Sequence, residues 1–239
     1  MSTPDLPPRP RMPTRPSPAR RATRARTLSR EGIVDAALKI IDAEGLDALT
    51  MRTVAHTLGT GQASLYAHVA HKEDLLELVI ERVIGECDFD IRPDPERWQE
   101  QVKQAMREMR AVFGRHGDLA RASFARIPLG ENALRGSETM IGVLRAGGLP
   151  DRVIAFACDL LPLYAMAIAY EESLYSFEGA TEADFDAFVG SMRSYFQNLP
   201  GDRFPHLVAL AGLLTEGDNN ERFEFGLEVL VRGLAAMAR

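Results

Sequence analysis

The strongest constraint on this chain lies between residues 49 and 72, in the stretch LTMRTVAHTLGTGQASLYAHVAHK. Val54, Ala55 and Leu58 share one face of a helix predicted over about 50–58, and Gly59 ends it. A second short helix over about 62–68 turns Leu65 and Val69 inward, which leaves Gln62, Ala63, Ser64, Tyr66, Ala67 and His68 facing outward. Two short helices across a glycine turn, the second with a bare polar side, have the layout of a helix-turn-helix. In that motif the second helix enters the major groove and reads base edges from its N-terminal residues.

The flanks support a compact unit around this pair. Upstream, SREGIVDAALKIIDAEG predicts a helix over 29–44, capped by Ser29, with Glu31 in its first turn and Ile33, Ala37, Ile40 and Ile41 inward. Gly45 then ends it as the left-handed residue past a helix end. Downstream, KEDLLELVIERVIGE predicts a helix over 72–87, with Glu73 and Asp74 at its positive end.

At this point residues 28 to 87 resemble the DNA-binding domain of the TetR (tetracycline-repressor) family of transcriptional regulators. The resemblance is carried by Gly45 with LDALTMR after it, by LGTGQASLYAHV and by HKEDLL. It extends to FEFGLEVLVRGLAAM, residues 223 to 237, which is similar to the last helix of the tetracycline-repressor subgroup, part of its dimer interface. The family's docking implies that Thr50 caps the helix over about 50–58 and offers a phosphate contact, and that Arg52 pairs with guanine O6 and N7. Gln62 then pairs with adenine, Ala63 sits against a thymine methyl, and Ser64 meets a base or a phosphate. Ser29, Tyr66, His68 and Lys72 complete the expected DNA contacts, mainly to phosphates. Ala67 and Gly61 depart from the family's namesake, so operator sequence does not transfer.

Charge divides along the chain. The net charge is -6, yet residues 1–28 carry seven Arg against one Asp, while residues 29–87 carry five Lys or Arg against ten acids. The Pro- and Arg-rich tail, residues 1–28, has almost no large apolar side chains and is expected to be disordered. It serves either as a solubilising leader or as an arm onto DNA. With 46% apolar residues, the remainder holds enough to bury a sizeable core. Cys87 and Cys158 fit neither a disulfide framework nor a metal knuckle. The opening MSTPDLPPRP lacks a signal-peptide core, and the expectation is a cytoplasmic protein with no membrane segment.

The rest of the chain reads as all-α. DFDIRPDP, residues 88–95, is the linker to a second domain over 95–239, with Pro93 and Pro95 ending the preceding helix. Residues 96–115 place Trp98, Val102, Ala105, Met109 and Val112 or Phe113 on one stripe, and 131–146 continue through Leu134, Met140, Ile141 and Leu144. Residues 151–175 are apolar almost all round, so they are a membrane span or a buried helix; Asp159 and Pro162 favour burial between this domain and a second subunit. A further amphipathic helix is followed by a loop over 198–205. The final helix, about 219–238, has more apolar surface than a lone helix needs, which points to a four-helix homodimer interface.

The resemblance implies that this second domain houses a small-molecule effector in an apolar site with a few polar anchors. Met109, Phe113, Phe124, Thr139, Asp159 and Glu171 are the candidates. In the family's namesake a histidine near the position of Ser123 holds magnesium with the drug, and Glu171 matches a carboxylate there. Without that histidine, no metal or other cofactor is expected. Enzymatic chemistry finds no support either. There is no GxSxG, no HExxH and no P-loop, and the five histidines show no ligand spacing with the cysteines. A helical interaction module without DNA is the other alternative. The expected partners are therefore a double-stranded DNA operator, an effector and a second copy of the chain.

Overall fold

The computed structural model describes residues 28–124, 126–177 and 182–238, and among these every regular element is helical. The arginine-rich tail before Leu28 lies outside the described residues. The first helix, α1, spans Arg30–Glu44; the Ser29 hydroxyl accepts the Gly32 N–H at 3.1 Å, and Gly45 closes it at φ 84°. That backbone region strains any side chain with a Cβ, so the glycine is there for conformation. A single turn over Leu46–Ala48 leads into α2, Met51–Thr57. Here Thr50 and Thr53 form a reciprocal cap: the Thr50 hydroxyl accepts the Thr53 N–H at 3.0 Å, and the Thr53 hydroxyl accepts the Thr50 N–H at 2.9 Å.

Helix α3 spans only Gln62–Leu65, shorter than the spacing predicts. The chain continues as a turn, in which His68 and Val69 both donate to the Leu65 carbonyl. Helix α4, Lys72–Ile84, also stops early. Gly85 caps it and Cys87 closes a last turn, so it ends well before the prolines expected to stop it. Ile33, Ala37, Leu49, Val54, Leu65, Leu75, Val79 and Val83 close the core of this unit.

The second half is a bundle of α5 (Trp98–Arg115), α6 (Asp118–Ser123), α7 (Glu131–Ala146), α8 (Asp151–Phe177) and α11 (Asn219–Ala235). Two further helices, α9 (Glu182–Gln197) and α10 (Pro205–Leu210), pack against each other between α8 and α11 in sequence; α10 lies in a stretch where the sequence reading placed no helix. On α5 the buried stripe runs through Met106, with Ala105 and Met109 at its margin, and on α7 Val143 is buried while Leu134 faces out. Both shifts reflect a core approached from two sides.

Helix α8 is the spine of the bundle, packing on α5, α6, α7 and α11. Residues Asp151–Leu174 are long and apolar enough to cross a membrane by length and composition, and a minority of that stretch is buried. The buried share is one face, with Ile154, Ala157, Leu161, Ala165 and Ala169. Away from it Phe156, Leu160, Leu163 and Leu174 remain exposed, Leu163 at the cavity mouth. On α11, Phe223, Leu227, Val231 and Leu234 pack inward, whereas Phe225 (72% exposed) and Val229 point out.

Ionic contacts mount the first unit on the second. His116, at the end of α5, places Nδ1 2.8 Å from Asp42 of α1 and Nε2 3.4 Å from Glu86, and Arg115 reaches Glu86 at 3.0 Å. The Asp118 carboxylate accepts the Leu46 N–H at 2.7 Å. Burial raises the Glu86 pKa, but hydrogen bonds from Arg115 and His116 outweigh it and hold the carboxyl below its ordinary 4.5. Arg107, bidentate on Glu224 at 2.7 and 2.8 Å, lowers Glu224 likewise. A depressed carboxylate stabilises the folded chain fully above its unfolded pKa, and that contribution disappears as pH falls through the folded one. The unfolding midpoint is therefore expected to fall on acidification below pH 4.5, and Arg107→Gln to shrink that loss. Thermal melts of both chains at a series of pH values check it; identical acid profiles would remove Glu224 from the account.

Candidate nucleic-acid interface and internal cavity

The reading face is built by default: α3 is too short to hide more than Leu65, so every other side chain it carries stays in solvent. Thr50, Arg52, Gln62, Ala63, Ser64, Tyr66 and His68 are all exposed, and Lys72 is half-buried at the start of α4. Tyr66, at 52% exposure, is not a packing residue. Ser29 is exposed as well, with its hydroxyl oxygen already accepting from Gly32.

Charge is arranged to suit a polyanion. All ten acids of residues 29–87 fall at or before Asp47 or at or after Glu73, so 48–72 carries Arg52, Lys72 and three histidines with no carboxylate. Thus a unit of net negative charge presents a locally cationic surface where α2 and α3 come forward. The sequence carries this signal in the spacing of its acids, which summation over the domain conceals.

Behind the reading unit, α4, α5, α6, α7 and α8 line a partly open cavity of roughly 460 Å³. Met109, Phe113, Phe124, Thr139 and Asp159, drawn from four different stretches of sequence, all line it. Glu171 does not. It lies farther along α8 and pairs with Arg222 of α11 at 3.3 Å, so the expected polar anchor is an ion pair across the bundle. The Thr139 hydroxyl donates to the Phe89 carbonyl at 3.1 Å, while Asp159 is exposed at the rim. Phe124 meets Tyr170 edge-on, with ring centroids 6.2 Å apart.

Several lining residues lie outside the candidates, because they sit in irregular segments or on a helix that belongs to the DNA-binding unit. Ile80 and Ile84 enter from α4, Phe89 from the linker, and Arg126 from the stretch after α6, where its guanidinium donates to the Ala122 carbonyl at 2.9 Å. Both cysteines line the same cavity. Burial, with Glu108 and Glu86 adding to it, pushes the Cys87 thiol up to about 12, and burial raises Cys158 too. Ser123 is buried at the cavity wall and donates to the Leu119 carbonyl at 2.8 Å. Among the described residues no three His, Cys, Asp or Glu side chains gather as a metal site.

Comparison with known proteins agrees with this geometry. The family model described as bacterial regulatory proteins, tetR family, matches residues 33–79, and the tetracyclin repressor-like C-terminal domain matches residues 92–238. The transcriptional repressor DrrR1 of Streptomyces coeruleorubidus is 31% identical over 215 residues, covering 88% of this chain and 78% of that protein. The class D tetracycline repressor of Escherichia coli is 27% identical, over 86% of this chain and 88% of that protein. Among solved structures, ActR of Streptomyces coelicolor in complex with actinorhodin is 44% identical with a TM-score of 0.82, covering 89% of this chain and 98% of that one. With the second family model alone spanning more than half the residues, and the reading helices and cavity bundle in matching order, the chain belongs to the TetR family of DNA-binding transcriptional regulators.

Proposed function

We propose that this regulator works as a homodimer that holds its operator through α2 and α3 and lets go when a small molecule fills the cavity behind them. The function is ligand-responsive repression of transcription. The observation that carries it is the position of α4, which packs on α1 in the same apolar core as α2 and α3 while its Ile80 and Ile84 line the cavity. One rigid helix thus belongs to both sites. An occupant that fits one tilt of α4 better than another shifts the population between operator-competent and incompetent forms, and DNA weakens the occupant's binding by the same factor.

Residues 29–87 act in this scheme as the DNA-binding domain and 95–239 as the effector and dimerisation domain. The molecule works in the cytoplasm, with no membrane partner and no enzymatic step. Met109, Phe113, Phe124, Thr139 and Asp159 contact the effector, which is mostly apolar, as the lining is. The ActR structure with actinorhodin is support from a relative for a small-molecule occupant. The bare faces of α8 and α11 pair with a second copy and set the two reading helices about 34 to 36 Å apart, one turn of DNA.

Arg52 is the direct reader, and Gln62, Ala63 and Ser64 face base edges beside it. Thr50, Ser29, Tyr66, His68 and Lys72 hold phosphates. Arg52→Ala is expected to cost about 1–3 kcal/mol and relax preference at one base pair. Lys72→Ala weakens all duplexes alike and flattens the salt slope by about one. Titrations against the DNA upstream of the protein's own gene and a scrambled duplex, across salt, check both. An Arg52→Ala chain that binds and discriminates like the parent removes Arg52 as the reader, and a complex indifferent to both salt and sequence favours an interaction module.

A further inference from the structure

Helix α7 begins without a cap of its own. Gly130 precedes it and has no side chain to accept the first free N–H groups. Those groups are taken by a carboxylate from another helix: Glu81 of α4 accepts the Asn132 N–H with one oxygen at 2.5 Å and the Ala133 N–H with the other at 3.3 Å. The contact is returned, because the Asn132 side-chain amide donates to the Glu81 main-chain carbonyl at 3.2 Å. Two glycines make room for it. A Cβ on Gly130 would lie 2.2 Å from the Glu81 carboxylate, and one on Gly85 would lie 2.5 Å from the Asn132 amide nitrogen. The clasp therefore ties α4 to the start of α7 from both directions.

Its location gives the clasp a consequence. Helix α4 contributes Ile80 and Ile84 to the cavity, and α7 contributes Ala133, Gly136, Thr139 and Met140. Glu81 and Ala133 thus stand at the seam of two cavity walls, and at its other end α4 follows α3 directly in the chain and shares a core with the reading pair. We propose that Glu81 is a positioning residue for the allosteric response: through its grip on α7 it converts displacement of the cavity wall into movement of α4. This rests on the effector reading above. Removing the grip leaves α4 held by its apolar core, with Leu75, Leu76, Val79 and Val83, so operator binding persists while the answer to cavity occupancy is lost.

The effector being unidentified, the test uses a covalent occupant. Cys158 lines the cavity and is partly exposed, whereas Cys87 is buried, so monobromobimane at about pH 8.5 alkylates Cys158, its thiolate displacing bromide. A Cys158→Ser chain that takes up no label confirms the site. In the parent chain labelling should lower affinity for the upstream duplex about tenfold or more. Glu81→Ala should bind that duplex unlabelled within about threefold of the parent and respond to the label by less than about twofold, with Glu81→Gln in between because it keeps one acceptor. Hydrogen exchange at the Asn132 and Ala133 amides should quicken in Glu81→Ala. If that chain folds poorly, Gly130→Ala, which displaces the carboxylate, takes its place. A Glu81→Ala chain that answers the label as fully as the parent, or whose Asn132 and Ala133 amides stay protected, overturns the clasp's role. A labelled parent that binds DNA unchanged overturns the cavity reading itself, and the clasp's role falls with it.

Discussion

Leu160→Glu and Val229→Glu chains are expected to sediment as monomers, to melt close to the parent's subunit stability, and to lose operator affinity by about a hundredfold or more. Both positions belong to the bare faces of α8 and α11, where Phe156 (64% exposed), Leu160, Leu163, Phe225 and Val229 remain in solvent within one chain. Soluble proteins seldom leave so many large apolar side chains uncovered on two helices. The proposed two-fold interface would repeat every substitution, so one Glu per chain would place two carboxylates in its seam, each desolvated at a cost of several kcal/mol. Operator affinity falls because the second half-site is no longer held by the same particle. Sedimentation and duplex titration on one preparation check both consequences. A variant that remains dimeric would move the interface elsewhere on the molecule. A parent that pellets with lipid vesicles would hand the α8 face to a membrane, which its length and composition permit.

The same helix shows where sequence was sufficient and where it was not. That α8 is apolar almost all round is plain from its residues, and so is the need for two kinds of neighbour; which face meets which depends on α5 and α11 arriving from sequence distances of dozens of residues. Local chemistry was the most legible. Ser29, Thr50 and Gly45 act as cap, cap and stop because each meets its partner within a few residues. Thr53, the return half of the Thr50 cap, is not legible in the sequence because threonine at that position takes the place of the usual Glu or Gln. Five of the candidates that the resemblance implies line the cavity, but Glu171 does not. A carboxylate on an apolar helix needs a partner, and the one it has, Arg222, approaches from a helix 51 residues on. Glu81 gave no sign at all: on α4 it is an ordinary polar position, and only the arrival of an uncapped α7 gives it a task.

Leu65→Ala is expected to abolish specific operator binding at ordinary protein concentrations while most of the helical content survives. Helix α3 is four residues long, far below the length at which a helix persists in water, so its conformation is imposed entirely by anchoring. The anchors are Leu65, fully buried, and Val69, 3% exposed, and the Leu65 carbonyl also receives the His68 and Val69 N–H groups. Truncating a buried leucine to alanine costs about 2–5 kcal/mol. The α1 and α4 part of the core keeps Ile33, Ala37, Leu75 and Val79, so the loss falls first on the segment with least else to hold it. Apparent affinity scales with the fraction of molecules whose reading helix is docked, and each 1.4 kcal/mol beyond the segment's own local stability removes about tenfold. Leu65→Met keeps the volume, costs under about 1.5 kcal/mol and should bind nearly as the parent does. Hydrogen exchange separates local from global loosening: the His68 and Val69 amides should lose protection in Leu65→Ala while those of α1 and of α4 beyond Val79 keep theirs. A Leu65→Ala chain that still selects its operator would mean that DNA itself folds the reading helix, and the surface would then be assembled on contact rather than presented in advance.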